Sequence, residues 1–186
     1  MSARPQIVIL NGIGSVGKTS TAKALQAITS KPFLHIAMDT FLEMLPEKFL
    51  AHPDGLRFET SQENGKQLVA VKSGPVLQRA MRGMCHAVAA MAEQGNNLIV
   101  DEVMIEPGRA QEYRNLLHSY DLYLVGLMAP LHVLEARELA RGDRTIGLAR
   151  GQFASVHQDI AYDLEVDTST ATPAACALII RDTFGL

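Results

Sequence analysis

The chain contains no tryptophan, only two cysteines, and 5% aromatic residues in a length of 186. So few aromatic side chains cannot supply the stacking series that single-stranded nucleic acid requires. Cys85 and Cys176 lie far apart in apolar, helix-like settings without metal-ligand spacing. That excludes a disulfide scaffold and reads as reduced core thiols in a cytoplasmic protein. The formal net charge is −3 with no block of like charges, so neither nucleic acid nor an anionic membrane is attracted electrostatically, and a small molecule is the expected partner. The N-terminal apolar run, Ile7 to Leu10, ends at Asn11 and is too short for a secretion signal or a membrane span. His35, His52, His86, His118, His132 and His157 form no metal-ligand spacing and neighbour no plausible nucleophile. There is no internal repeat and no low-complexity tract.

What is present is a 47% hydrophobic chain, long enough for one well-buried core and too short for two full-sized domains, so residues 1–186 are read as a single domain. Apolar runs at Ile7 to Leu10, Phe33 to Ala37, Leu98 to Val100, Leu122 to Leu127 and Leu164 to Val166 alternate with helical patterns. These predict βαβ units and a mainly parallel five-stranded sheet in an α/β fold. Helices are expected at Lys18 to Thr29, Thr40 to Leu50, Pro75 to Gln94, Pro107 to His118, Leu131 to Ala140, Ile146 to Asp159 and Pro173 to Phe184. Segment 51–74 breaks the rhythm. Its runs Leu56 to Thr60 and Gln67 to Val71 flank Glu63-Asn64-Gly65, which reads either as an inserted hairpin or as a surface loop.

Between the first strand and the first helix, Gly12-Ile13-Gly14-Ser15-Val16-Gly17-Lys18-Thr19 is a complete G-x-x-x-x-G-K-[ST] phosphate-binding loop in the strand–loop–helix context that gives the motif its meaning. The expected architecture is therefore a three-layer sandwich of the P-loop NTPase type. Gly12, Gly14 and Gly17 are expected to supply backbone freedom, so that successive amides of residues 12–20, Ser20 included, converge on phosphate oxygens at a helix N-terminus. Lys18 supplies charge to the β- and γ-phosphates of ATP, and Thr19 supplies a hydroxyl to Mg²⁺.

The loop alone does not distinguish a kinase from a switch or a motor. Asp101 ends an apolar strand where a carboxylate can hold the metal opposite Thr19, with Glu102 as its rival, since adjacent strand residues face opposite sides. Asp39 follows the second strand at the carboxyl edge of the sheet; it suits a general base and equally suits a helix N-cap. Arg137, Arg141 and Arg144, followed by or flanking Gly142, read as a lid over phosphates at about residues 141–151, or else as a solvated helix face. Phe41, Leu42, Met44, Leu45 and Phe49 recur at helical spacing after Asp39 and suit core packing or an apolar acceptor.

Taken together, Ile9-Leu10-Asn11-Gly12, Gly17-Lys18, Asp39 with Glu43-Met44-Leu45-Pro46, Ile99 to Val103, Arg137-Glu138, Ala140 to Arg144, His157 and Tyr162 to Thr168 resemble the chloramphenicol phosphotransferase family over nearly the whole chain. The resemblance implies a single-domain kinase that transfers the γ-phosphate of ATP to a primary hydroxyl of chloramphenicol and so inactivates the antibiotic. It also implies that Lys18 and Thr19 are the phosphate and Mg²⁺ residues, that Asp39 is the catalytic base and that Arg141 and Arg144 are the lid arginines; Arg137, one turn before Arg141, is read as a further nucleotide contact. Departures in the loop interior and through segment 51–74 leave other acceptors open, such as a sugar or nucleotide sugar as in zeta-toxin kinases. A nucleotide-responsive switch, which needs no acceptor base, is the alternative outside enzymes.

Overall fold

A computed structural model describes residues 4–142 and 145–186. Five strands, β1 (Gln6–Asn11), β2 (Phe33–Ala37), β5 (Asn97–Glu102), β6 (Asp121–Met128) and β7 (Leu164–Asp167), form one sheet in the order β2-β5-β1-β6-β7. Every pairing in it is parallel, as expected where each crossover passes through a helix. β1 is central and wholly buried, which explains its unbroken aliphatic sequence: both of its faces are covered.

Alternation along the strands separates two apolar layers. Val8, Leu10 and Ile99 face a layer with α1 (Lys18–Ile28) and α7 (Pro173–Phe184). Ile7, Ile9, Leu98 and Val100 face the other, with α3 (Pro75–Glu93) and α4 (Arg109–Leu116). In α3, Pro75 opens the helix, and Leu77, Met81, Met84, Cys85, Val88 and Ala92 are buried, the stripe a 3.6-residue period places on one side.

Segment 51–74 contains a hairpin. β3 (Leu56–Glu63) pairs antiparallel with β4 (Lys66–Ser73) in a separate two-stranded sheet. Asn64 and Gly65 both have positive φ, 51° and 74°, the two-residue turn whose twist suits a hairpin. The strands are longer than the sequence indicates because their end residues, Ser61 to Glu63, Lys66, Lys72 and Ser73, are polar.

Two helices differ from expectation. Where one helix is predicted from Thr40 to Leu50, α2 covers only Met38–Glu43, followed by a 3₁₀ turn at Glu47–Phe49. Pro46 lies between them, has no N–H to donate, and disfavours helix at Leu45. The expected helix from Ile146 to Asp159 is reduced to α6, Leu148–Phe153, which starts after Gly147 at φ 92° and gives way to turns. The remaining helix, α5, spans Leu131–Arg141. Among the described residues, no helix is long and apolar enough to cross a membrane.

Candidate active site

Parallel register brings the functional loops together. Leu10 pairs with Asp101 and Asn11 with Glu102 across β1 and β5, and Ala37 pairs with Asp101 across β2 and β5. The phosphate loop, Asp101 and Asp39 therefore all leave the same carboxyl edge of the sheet, where open α/β proteins bind ligands. A cavity of about 210 Å³ opens there, lined by Gly14, Ser15, Gly17, Lys18, Thr19 and Ser20 of the loop, and by Asp39, Asp101 and Arg141.

The glycines serve different needs. Gly17, at φ +100°, is the left-handed residue that turns the chain into α1, a conformation costly for a residue with a Cβ. Gly12 meets a packing requirement. A Cβ there would meet the Leu127 carbonyl oxygen and Val16 Cγ1 at 2.8 Å. Ile13 and Val16 bury their side chains in the core, and the Val16 amide donates to the Ile13 carbonyl at 3.2 Å. None of Gly12, Ile13 and Val16 lines the cavity. Ser15 adopts φ 66° without being glycine. The Lys18 ammonium donates to the carbonyls of Gly12 at 2.9 Å and Ile13 at 3.3 Å.

Strand alternation decides between the two acids. Asp101 shares the face of Ile99, toward α1, and accepts a hydrogen bond from the Thr19 hydroxyl at 2.5 Å. Burial alone would raise its carboxyl, but His35, Lys18 and Thr19 outweigh that and hold it below its ordinary value. A hydroxyl and an ionised carboxylate in contact are hard oxygen donors of the kind that could hold Mg²⁺. Glu102 points to the opposite layer, 3.5 Å from Arg109 Nε. Burial, partly offset by Tyr113 and Arg109, pushes its carboxyl up to about 7. Arg109, only 5% exposed, also bonds Glu106 at 2.8 Å, Glu112 at 2.9 Å and Cys85 Sγ at 3.3 Å.

Asp39 lies in the first turn of α2, whose N-cap position is Ala37. It is exposed in the cavity. Met38, Leu42, Leu56, Phe58, Val71 and Leu77 make the apolar wall beyond it. The hairpin therefore lines the pocket rather than decorating the surface.

Of the three arginines, Arg141 lines the cavity and Arg144 lies outside the described residues. Arg137, expected at the nucleotide, does not line the cavity and instead donates to the carbonyls of Thr168 at 2.6 Å and Ser169 at 3.3 Å. It ties α5 to the end of β7. Glu138, beside Arg137 in α5, is buried, and its carboxylate accepts the amides of Gly147 and Ala149, each at 2.8 Å.

Glu138, Arg109 and Gln152 are site or supporting residues the sequence does not reveal. Gln152 Oε1 accepts the Gly14 amide of the phosphate loop at 2.8 Å across 138 positions. No local pattern signals such a contact.

Comparison with known proteins agrees with this geometry. A 33% identical relative in Mycobacterium tuberculosis, matched over 93% of this chain and 80% of its own length, is named "Putative O-phosphotransferase". Among solved structures, a sugar kinase from Janibacter sp. superposes with a TM-score of 0.67 at 16% identity, covering 97% of this chain and 94% of that one. The APS kinase of Mycobacterium tuberculosis gives 0.67 at 14% identity, over 98% and 99%. These two likenesses show the fold alone, an α/β architecture shared with those two proteins. Residues 5–185 match the family described as chloramphenicol phosphotransferase-like protein. The chain belongs to the chloramphenicol phosphotransferase-like family of small-molecule kinases.

Proposed function

We propose that the protein is an ATP- and Mg²⁺-dependent O-phosphotransferase whose acceptor is a hydroxyl of a small, largely apolar molecule, with chloramphenicol the specific candidate. The observation that carries this reading is the cavity shared by Lys18, Thr19, Asp101 and Asp39, closed on its far side by the apolar face of the hairpin and α2. A nucleotide-responsive switch requires no carboxylate at Asp39 and no apolar wall beyond it.

In this reading the loop amides and Lys18 hold the β- and γ-phosphates, and Thr19 with Asp101 holds Mg²⁺, which offsets phosphate charge when bound. Asp39 orients the acceptor hydroxyl. As the hydroxyl oxygen bonds to the γ-phosphorus and the bond to the β,γ-bridging oxygen breaks, the hydroxyl proton passes to the Asp39 carboxylate, and ADP leaves. Arg141 covers the transferred group with a permanently charged, planar guanidinium. The name of the Mycobacterium tuberculosis relative supports O-phosphoryl transfer, while the family description supports the antibiotic as acceptor.

Incubation with Mg-ATP and chloramphenicol, beside a panel of sugars and nucleotide sugars, followed by mass spectrometry, tests the acceptor. A phosphoryl adduct on chloramphenicol is the expected result. An adduct on a panel sugar alone replaces the acceptor and keeps the reaction. No adduct at all, with ATP still bound, overturns the kinase reading in favour of the switch.

A further inference from the structure

Helix α6 touches both halves of the cavity. On one side Gln152, 6% exposed, accepts the Gly14 amide of the phosphate loop at 2.8 Å. On the other side α6 and the turn before it are seated on β4, whose partner β3 contributes Leu56 and Phe58 to the apolar wall. Three observations define that seat. The Val69 amide donates outside the hairpin ladder to the Gly147 carbonyl at 2.9 Å. Gln67 Nε2 donates to the Ile146 carbonyl at 2.8 Å. A Cβ at Gly151 would stand 1.9 Å from the Val69 carbonyl oxygen, and one at Gly147 2.6 Å from that of Gln67. The backbones thus meet at a distance only glycine permits. Ion pairs fasten the rim: Lys66 to Glu135 at 3.2 Å, Arg150 to Glu63 at 3.9 Å, and Arg150 to Glu135 in direct contact.

We propose that Gln152 is a positioning residue for the phosphoryl transfer, joining the phosphate loop to the acceptor wall through α6 so that the hairpin is held in register with the donor phosphate. The inference rests on the kinase reading above for its role in transfer, whereas the mechanical link from Gly14 to Val69 is a property of the chain itself. Two separate sheets, the main sheet and the hairpin, supply the two sides of one reaction. A displacement of about 1 Å between reacting groups is enough to cost a large factor in rate. A rigid strut between them is what such an arrangement needs, and the carboxamide of Gln152 is its contact with the loop.

The Val69 amide is a direct reporter, because its partner lies on the turn leading into α6 rather than in the hairpin. Hydrogen exchange is measured by NMR on the full chain, for wild type, Gln152→Met and Gly151→Ala, without nucleotide and with Mg-AMPPNP. Gln152→Met keeps the side-chain bulk and removes the acceptor. Loss of one hydrogen bond predicts Val69 exchange up to about tenfold faster in this variant without nucleotide, and comparably fast exchange in Gly151→Ala. Mg-AMPPNP should slow Val69 in wild type and leave it unchanged in Gln152→Met. With an acceptor that the enzyme phosphorylates, acceptor KM should rise by about tenfold while ATP KM stays within about twofold.

Unchanged Val69 exchange in Gln152→Met overturns the strut and leaves the kinase reading intact. A failure of Mg-AMPPNP to protect the loop amides 15–19 in wild type overturns the nucleotide site and the proposal with it. Rescue of both the Val69 exchange and the acceptor KM in a Gln152→Glu variant, which restores a carbonyl-type acceptor for the Gly14 amide, supports the strut; absence of rescue in both counts against it.

Discussion

Gly12 and Gly17 are both glycines of one motif, yet substitution should separate them. Alanine at Gly12 places its Cβ 2.8 Å from the Leu127 carbonyl oxygen, an overpacked core position costing about 1–3 kcal/mol, so the urea midpoint should fall. Alanine at Gly17 meets nothing within 4 Å but must adopt φ +100°. Its main effect should fall on the loop amides, read as weaker Mg-AMPPNP binding. Asp101→Asn removes the charge that Thr19 and Lys18 hold in place; the Mg²⁺ concentration for half-maximal activity should rise by about tenfold or more. Cys85 offers a further check. Burial and Glu102 push its thiol up to about 11 against the partial opposition of Arg109. Only the thiolate reacts with alkylating reagents, so at pH 8.5 iodoacetamide should label Cys85 in the unfolded chain and leave it unlabelled in the native one. At this scale the sequence was most legible where a residue bonds its neighbours in the chain, as Lys18 does with Gly12 and Ile13. It was silent where the partner is remote, as for Gln152 and Arg109.

At the scale of elements, the five strands of the sheet were readable because each is a short apolar run covered on both faces. The same criterion hid the full length of the hairpin, whose end residues are polar. Asp101 and Glu102 could be told apart only once the register placed Ile99 on the α1 side. Helix α6 was overextended because its apolar residues continue past Phe153, while the actual determinant of its start lies in α5. Glu138 accepts the Gly147 and Ala149 amides, satisfying donors at the helix entrance that otherwise lose their partners. Glu138→Ala leaves two buried donors without acceptors, at about 1–3 kcal/mol each. Trypsin cleavage at Arg150 should accelerate, and the nucleotide affinity of the phosphate loop should change little.

For the molecule as a whole, binding that requires the folded loop must raise stability. At a ligand concentration one hundred times Kd the gain is about 2.7 kcal/mol, so Mg-ATP should raise the Tm, and Lys18→Ala should abolish the rise. The architecture accounts for this: one sheet edge gathers the loop, Asp101 and Asp39, and the hairpin supplies a wall from outside that sheet. The phosphate-loop motif marked one side of the cavity in the sequence. The acceptor side was harder, since its wall comes from residues scattered between Met38 and Leu77, each unremarkable alone. The central claim is that Asp39 prepares an acceptor hydroxyl beside a bound nucleotide. It is tested most directly by measuring AMPPNP binding by calorimetry and phosphoryl transfer by mass spectrometry in wild type and Asp39→Asn. The account predicts an unchanged affinity and transfer reduced by about a hundredfold or more; transfer at the wild-type rate in Asp39→Asn would contradict it.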